Sequence, residues 1–257
     1  MLETLLYFLI GVVASLLGSM VGLGGGSIAV PALYCFGLGI EHAVASSKFM
    51  VLTTSAVSTY RYSRKLKIPI KLYSIIALPM ILTSYLGAYL VIVVPSRLLT
   101  IVVGLVLLAA AIRAIVEGEV SRKVIEEYEY RRNYLLGALS GFVAGIVAGI
   151  TGLGGGVVNV PIFLYALSLP AHSAVSLSMA CILPAAFSST IRHMIDGIIL
   201  WKAALPLSIG AILGAWFGPK IALKLSRRKL RKLIGIILTI IVVLRMIIQA
   251  AATLNPF

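Results

Sequence analysis

The stretch Gly22-Leu23-Gly24-Gly25-Gly26 returns unchanged as Gly152-Leu153-Gly154-Gly155-Gly156, 130 positions later. The likeness extends beyond the glycines, because the segments that begin at Gly18 (GSMVGLGGGSIAVPAL) and Ala148 (AGITGLGGGVVNVPIF) align without a gap. A proline follows the last glycine at the same distance in both, as Pro31 and Pro161. An internal repeat in so apolar a chain predicts a membrane protein made of two related halves, the common plan of secondary transporters.

The composition is that of an integral membrane protein. Of the 257 residues, 60% are hydrophobic and only 12% are charged, and the mean hydropathy is +1.09. A bilayer core about 30 Å thick needs roughly 20 mainly apolar residues per helical crossing, and the chain is a succession of such runs. Soluble domains are thereby excluded. No basic region precedes the first apolar run, so we expect no cleaved signal peptide.

The formal charge of +14 is concentrated in three places. Seventeen of the 22 Lys and Arg residues lie in 61–71, 113–132 and 220–232. Short basic loops between apolar runs mark the cytoplasmic face of a membrane protein, so we expect no nucleic-acid partner. The two cysteines, Cys35 and Cys181, both lie in apolar runs and are not equivalent in the repeat. We therefore expect no disulfide, no metal site and no cofactor.

The apolar runs divide each half into five segments. The first half (1–116) and the second half (134–257) are joined by a charged cytoplasmic linker (117–133). The predicted segments of the first half are 5–18, 27–38, 43–60, 72–94 and 98–116, and those of the second are 134–149, 157–169, 174–192, 201–221 and 233–254. The third segment of each half is rich in Ser and Thr and should face the protein interior.

An odd number of segments in each half predicts inverted repeats. The predicted fold is an all-α integral membrane protein of two inverted-topology repeats, each a glycine-turn helical hairpin plus three transmembrane helices. With the basic loops inside, both termini lie outside a multi-pass protein of the cytoplasmic membrane. Whether the segments flanking each glycine turn are re-entrant or fully spanning is undecided by hydropathy, and we favour a re-entrant hairpin.

The glycine turns are the candidate binding site. Successive glycines let backbone N–H groups approach a ligand closely, and a helix that begins after such a turn directs its positive dipole end at that point, which favours an anion. The alternative is that the glycines merely permit close helix packing. The candidate substrate-binding residues are Gly22, Gly24, Gly25, Gly26, Ser27, Ser47, Lys48, Gly152, Gly154, Gly155, Gly156, Asn159, Ser176 and Ser178.

The doubled G-x-G-G-G-x-x-x-V-P pattern, the polar helix after each copy and the pair Arg192-His193 resemble the sulfite exporter TauE/SafE family, also called the TSUP permeases. The resemblance covers nearly the whole chain outside the linker. It implies transport of a small sulfur-containing or organic anion, such as sulfite, a sulfonate or sulfoacetate. In the 130-residue alignment Lys48 stands opposite Ser178 and Asn159 opposite Ala29, so the two half-sites differ.

Four further residues are candidates for gating or proton handling: His42, His172, Arg192 and His193. The first two share the 130-residue offset, although helix capping or an interfacial position, inherited by duplication, is the simpler explanation for them. Arg192 stands four residues before Asp196, and an exposed ion pair is the simpler explanation for it. Lys48, inside a membrane segment, either snorkels to the outer face or binds an anion.

The predicted function is secondary transport of a small anion by alternating access. An anion channel with the same site is the alternative. We find no catalytic set of residues and expect no enzymatic activity. The expected partners are the anionic substrate and the lipid bilayer, while a coupling proton and a homo-oligomer stay open.

Overall fold

The computed structural model of the protein describes residues 2–95, 98, 101, 134–226, 229 and 230. The predicted linker 117–133 and the last segment, 233–254, lie outside the described residues, as does nearly all of segment 98–116. Every regular element among the described residues is helical, which confirms the all-α fold class.

The first half contributes four described helices: α1 (Leu2–Val21), α2 (Gly26–Cys35), α3 (Ile40–Ser63) and α4 (Ile70–Val93). The second half contributes another four: α5 (Tyr134–Thr151), α6 (Gly156–Pro161), α7 (Ala171–Ile195) and α8 (Trp201–Lys224). Helix α6 continues as one π-helical turn, Ile162–Ala166. Five of these helices, α1, α4, α5, α7 and α8, are long and apolar enough to cross a membrane.

The glycine-turn hairpins are asymmetric, which corrects one expectation from the sequence. The predicted first segment, 5–18, is too short to cross a membrane, but α1 has 20 residues and is of spanning length. The returning arm α2 has 10 residues and extends only about 15 Å at 1.5 Å per residue. Each hairpin therefore joins a helix of spanning length to one that reaches about half as far.

Helix α3 is as long as the apolar helices but is built from many hydroxyl residues. Ser46, Ser47, Thr54, Ser55 and Ser58 are all buried, which agrees with the predicted interior location. Most of these hydroxyls donate hydrogen bonds to carbonyls of the preceding turn of α3. Thr54 donates to the carbonyl of Met50, and Ser55 donates to that of Leu52. Such local bonds make a polar helix compatible with an apolar surrounding.

The two halves are interleaved, because the first helix of each half packs along the fourth helix of the other. Helix α1 lies against α8, and α5 lies against α4. Glycines allow these helices to approach closely. A Cβ added at Gly11 would lie 2.1 Å from the Leu207 carbonyl oxygen, and one added at Gly214 would lie 2.2 Å from the Val12 carbonyl oxygen. Contacts advance in the same direction along both partners, so each pair is parallel.

Helices α3 and α7 meet at the centre of the fold beside the glycine turns. The Cα of Gly24 faces Val51, midway along α3, and Ile182, midway along α7. Helix α3 runs parallel to α8, since Ser46 contacts Leu200 near the start of α8 and Arg61 contacts Trp216 near its end.

The π-helical turn after α6 shifts the register of the repeat by one residue. The offset is 130 up to Pro31 and Pro161, but the left-handed residues that follow, Gly37 and Ser168, are 131 apart. A π-turn absorbs one extra residue into a helix. From that point Ser47 is equivalent to Ser178 and Lys48 to Met179, which corrects the ungapped alignment. For the same reason His42 and His172 are not equivalent positions.

Candidate functional site

The two glycine turns pack directly against each other. A Cβ added at Gly26 would lie 2.1 Å from the carbonyl oxygen of Gly152, and one added at Gly156 would lie 2.1 Å from that of Gly22. No side chain fits in either gap. Gly26 and Gly156 therefore do permit close packing, which was the alternative to anion binding in the sequence analysis.

Three glycines of each turn have left-handed backbone. Gly22, Gly24 and Gly25 have φ of 81, 82 and 86°, and the corresponding residues of the second turn have φ of 70, 93 and 77°. Side-chain-bearing residues rarely adopt this region. The identical conformations explain why the pattern returns without a substitution.

One serine from α3 and one from α7 each donate a hydrogen bond to the glycine turn of the other half. Ser178 of α7 donates to the Gly22 carbonyl at 2.7 Å, and Ser47 of α3 reaches the Gly152 carbonyl at 3.4 Å while bonding Val44 at 3.0 Å. Both serines were candidate ligand residues. In the described structure their hydroxyls are donors to protein carbonyls.

The start of α2 carries donors that the fold does not use. The N–H groups of Ile28 and Ala29 bond to the Gly25 carbonyl, whereas no backbone acceptor among the described residues serves Gly26 or Ser27. The hydroxyl of Ser27, a residue that is 1% exposed, also lacks a partner in the described chain. Because no side chain caps this end, it offers amide and hydroxyl donors together.

Lys48 is completely buried, so the snorkelling interpretation was wrong. Its ammonium donates to the Ala148 carbonyl at 2.6 Å, in the last turn of α5, where the helix dipole favours a positive charge. The Ala148 carbonyl also accepts from the Gly152 amide, whereas the equivalent carbonyl of Gly18 accepts from the amides of Leu23 and Gly24 and from no side chain of the described residues. The two half-sites are therefore chemically different.

Two other candidates are buried with unsatisfied atoms. Asn159 donates to the sulfur of Met80 at 3.5 Å, and its Oδ1 has no partner in the described chain. The hydroxyl of Ser176 likewise lacks one. Asn159 thus faces the packing between α4 and α6.

His42 and His172, two of the gating candidates, form hydrogen bonds with backbone carbonyls. The Nδ1 of His42 lies 2.8 Å from the Ile198 oxygen, and the Nε2 of His172 lies 3.1 Å from the oxygens of Ala222 and Leu225. Each ring thus joins the start of a polar helix to a neighbouring chain segment. Their role in gating stays a prediction.

Arg192 forms the predicted ion pair, with its Nη2 2.6 Å from Asp196. The pair is less exposed than expected, since the side chains are 21% and 6% exposed, and the guanidinium also lies 4.7 Å from the ring centre of Tyr89. Arg61, its equivalent in α3, lies 4.5 Å from the ring of Trp216. Both arginines thus make cation–π contacts with a neighbouring helix.

His193 is wholly buried, and neither ring nitrogen has a hydrogen-bond partner among the described residues. Its equivalent, Tyr62, is buried too, but donates to the Ser19 carbonyl at 2.9 Å. Sequence reasoning missed Tyr62. The pairs Arg61-Tyr62 and Arg192-His193, at an offset of 131, were the available signal.

Comparison with known proteins identifies the family. The model of the sulfite exporter TauE/SafE family matches residues 7–246. The chain belongs to this family. Among curated relatives, the probable membrane transporter protein YunE of Bacillus subtilis is 26% identical over 257 residues, covering 91% of this chain and 93% of the relative. A probable membrane transporter protein of Methanocaldococcus jannaschii is 27% identical, with 91% of each chain covered. No solved structure matches.

Membership confirms the resemblance drawn from the glycine repeat, and makes the protein a multi-pass membrane transporter. The family description agrees with the five helices of spanning length. The match reaches from within α1 to well beyond α8, so it includes both glycine turns of this TauE/SafE transporter.

Proposed function

We propose that this TauE/SafE transporter is a secondary carrier of a small sulfur-containing anion such as sulfite, a sulfonate or sulfoacetate. The observation that carries the proposal is the start of α2, where two unpartnered amides and the buried Ser27 hydroxyl meet at the glycine turn. Donors without acceptors in a dry interior are costly, and an oxyanion would satisfy them. The start of α6 repeats the arrangement, with Gly156 and Val157 unbonded among the described residues.

The contacts between helices support inverted repeats and alternating access. Helix α3 is parallel to α8, and the short loop after α3 makes α3 and α4 antiparallel. Helices α4 and α8, which hold the same place in the two halves, therefore run in opposite directions. A binding site between two inverted halves can open alternately to either side as the halves rock about it.

Charged residues support the proposed orientation in the cell membrane. Arg61 at the end of α3 lies beside Trp216 of α8, and Lys71 at the start of α4 lies 4.9 Å from the ring of Tyr134 at the start of α5. The described basic residues of loop 64–69 and of the end of α8 thus share one face. Placing that face in the cytoplasm puts the beginning of α1 outside.

A binding assay tests the site. Purified protein is titrated with sulfite, sulfate, thiosulfate, taurine, sulfoacetate and acetate, and the rise of the unfolding midpoint is followed, since a ligand of the folded state stabilises by RT ln(1 + [L]/Kd). Ser27→Ala should weaken binding by about 10- to 100-fold, because a hydrogen bond to a charged group contributes roughly 1.5–3 kcal/mol.

Ser140→Ala is the matched control. Ser140 is also buried, but its hydroxyl bonds the Gly137 carbonyl within α5 at 2.7 Å. Equal anion affinity of the two variants would contradict the site. In proteoliposomes, anion loaded on the far side should accelerate uptake; a channel, the alternative, would show no such acceleration.

A further inference from the structure

The buried polar groups near the end of α5 are unequal in the two halves. By the 131-residue offset, the counterpart of Lys48 is Met179 and that of His193 is Tyr62, whose hydroxyl is bonded. Lys48 and His193 thus bring an amine and an unbonded imidazole where their counterparts are a thioether and a satisfied phenol. The difference cannot be explained by packing alone, since all four side chains are buried.

Lys48 brings a buried amine without a counter-ion into this region. Its only described hydrogen bond is to the Ala148 carbonyl, and no carboxylate of the described chain pairs with it. A buried charge without a counter-ion is costly in protein or lipid. An anion from solution would supply the counter-ion that protonated Lys48 lacks.

His193 and Thr190 supply further unused polar groups on α7. They stand three residues apart on α7 and so share one face of the helix. Both residues are buried, and the Thr190 hydroxyl and both His193 nitrogens lack partners in the described chain. His193 is equivalent to Tyr62, whose hydroxyl bonds the Ser19 carbonyl of α1. Ser19 aligns with Gly149, the residue after Ala148. The equivalence therefore places His193 near the end of α5, where Lys48 bonds the Ala148 carbonyl.

We infer that Lys48, Thr190 and His193 form an oxyanion-binding site between the two halves, near the end of α5, in which His193 takes up a proton when the anion binds. The inference rests on the proposed function, because it names side chains that would hold the substrate near the second glycine turn. A neutral His193 can accept one hydrogen bond and donate one. With an anion between it and Lys48, the protonated ring becomes favourable, which links the anion to a proton.

Few other charged groups bear on His193. Arg192 is adjacent on α7 and is already paired with Asp196. Helix α4 contributes Tyr85 and Tyr89, whose rings lie beside the Arg192 guanidinium, and α5 and α6 carry no charged residue. Lys48 is therefore the cation whose charge a bound anion would offset.

The test measures the binding of methanesulfonate, which does not titrate between pH 5.5 and 8, by calorimetry on the purified full chain. The parent should bind it about 10-fold more tightly at pH 5.5 than at pH 8, because binding is coupled to proton uptake by His193 and a lower pH favours the coupled reaction. Lys48→Met should weaken binding about 10-fold or more at both pH values. His193→Tyr should bind methanesulfonate with a smaller change in affinity between pH 5.5 and 8 than the parent shows. Both variants introduce the residue that the other half carries at the equivalent position.

Met179→Leu and Tyr62→Phe are the matched controls, because they alter the equivalent buried positions outside the site; both should keep the parent's affinity and pH dependence. If Lys48→Met and His193→Tyr bind methanesulfonate as tightly as the controls do, the inference is overturned. Lys48 would then serve only as a cap of α5. That result would leave the proposed function intact. If the parent binds none of the sulfur oxyanions at either pH, both proposals fail.

Discussion

The contact between the glycine turns can be tested by adding a single methyl group. In Gly156→Ala the new Cβ would stand 2.1 Å from the Gly22 oxygen and 2.7 Å from the Cα of Leu23. Both obstacles are backbone atoms, so the turns must separate by about 1 Å to reach ordinary contact. Overpacking of this kind costs typically 1–3 kcal/mol. The displaced Gly22 carbonyl also loses part of its bond from Ser178, another ~1 kcal/mol. We expect a total of about 2–4 kcal/mol.

The assay is unfolding of purified protein in detergent by a chemical denaturant, with Gly39→Ala as control. Gly39 also precedes a helix, its φ is −54°, and an added Cβ would meet only His42 at 3.7 Å. Gly26→Ala should behave like Gly156→Ala, and the double variant should cost less than the sum because the first substitution already separates the turns. A Gly156→Ala protein as stable as Gly39→Ala would refute the direct contact of the turns.

Three other outcomes follow from the same geometry. Ser178→Ala should destabilise the protein by about 1–2 kcal/mol and Ser47→Ala by less, because the bond to the turn is 2.7 Å in one case and 3.4 Å in the other; equal losses in denaturant unfolding would contradict this. Tyr62→Phe should cost about 1–2 kcal/mol by leaving the buried Ser19 carbonyl without its donor, and an unchanged unfolding midpoint would refute it. In a protein freed of Cys35 and Cys181, an impermeant maleimide should label Gly39→Cys in intact cells and Lys67→Cys only after permeabilisation; the reverse would invert the topology.

The sequence predicted the helical membrane fold and the central place of the glycine turns because both depend on local properties. Hydropathy identifies α4 and α8, and a repeated turn with left-handed residues leaves few alternatives to glycine. The register of α7 could not be predicted in the same way, because the π-helical turn Ile162–Ala166 conceals one added residue. That hidden residue caused the incorrect pairing of Lys48 with Ser178.

The burial of Lys48 shows a second limit of sequence reasoning. An ionisable residue eight positions after the start of a helix was expected to reach the surface or an anion, but its partner is a carbonyl from the other half of the chain. Such a contact depends on how α5 and α3 cross. Only the three-dimensional arrangement brings the last turn of α5 to this lysine.

The two roles of the glycine turns are compatible because they use different atoms. Packing uses the Cα of Gly26 and Gly156 and the carbonyls of Gly22 and Gly152, whereas an anion would use amide and hydroxyl hydrogens that point elsewhere on the peptide. A substitution that adds a Cβ disturbs packing first and says little about binding. Ser27→Ala removes one unpartnered donor without adding an atom to the contact, so Ser27, rather than any glycine, is the position at which binding can be separated from folding.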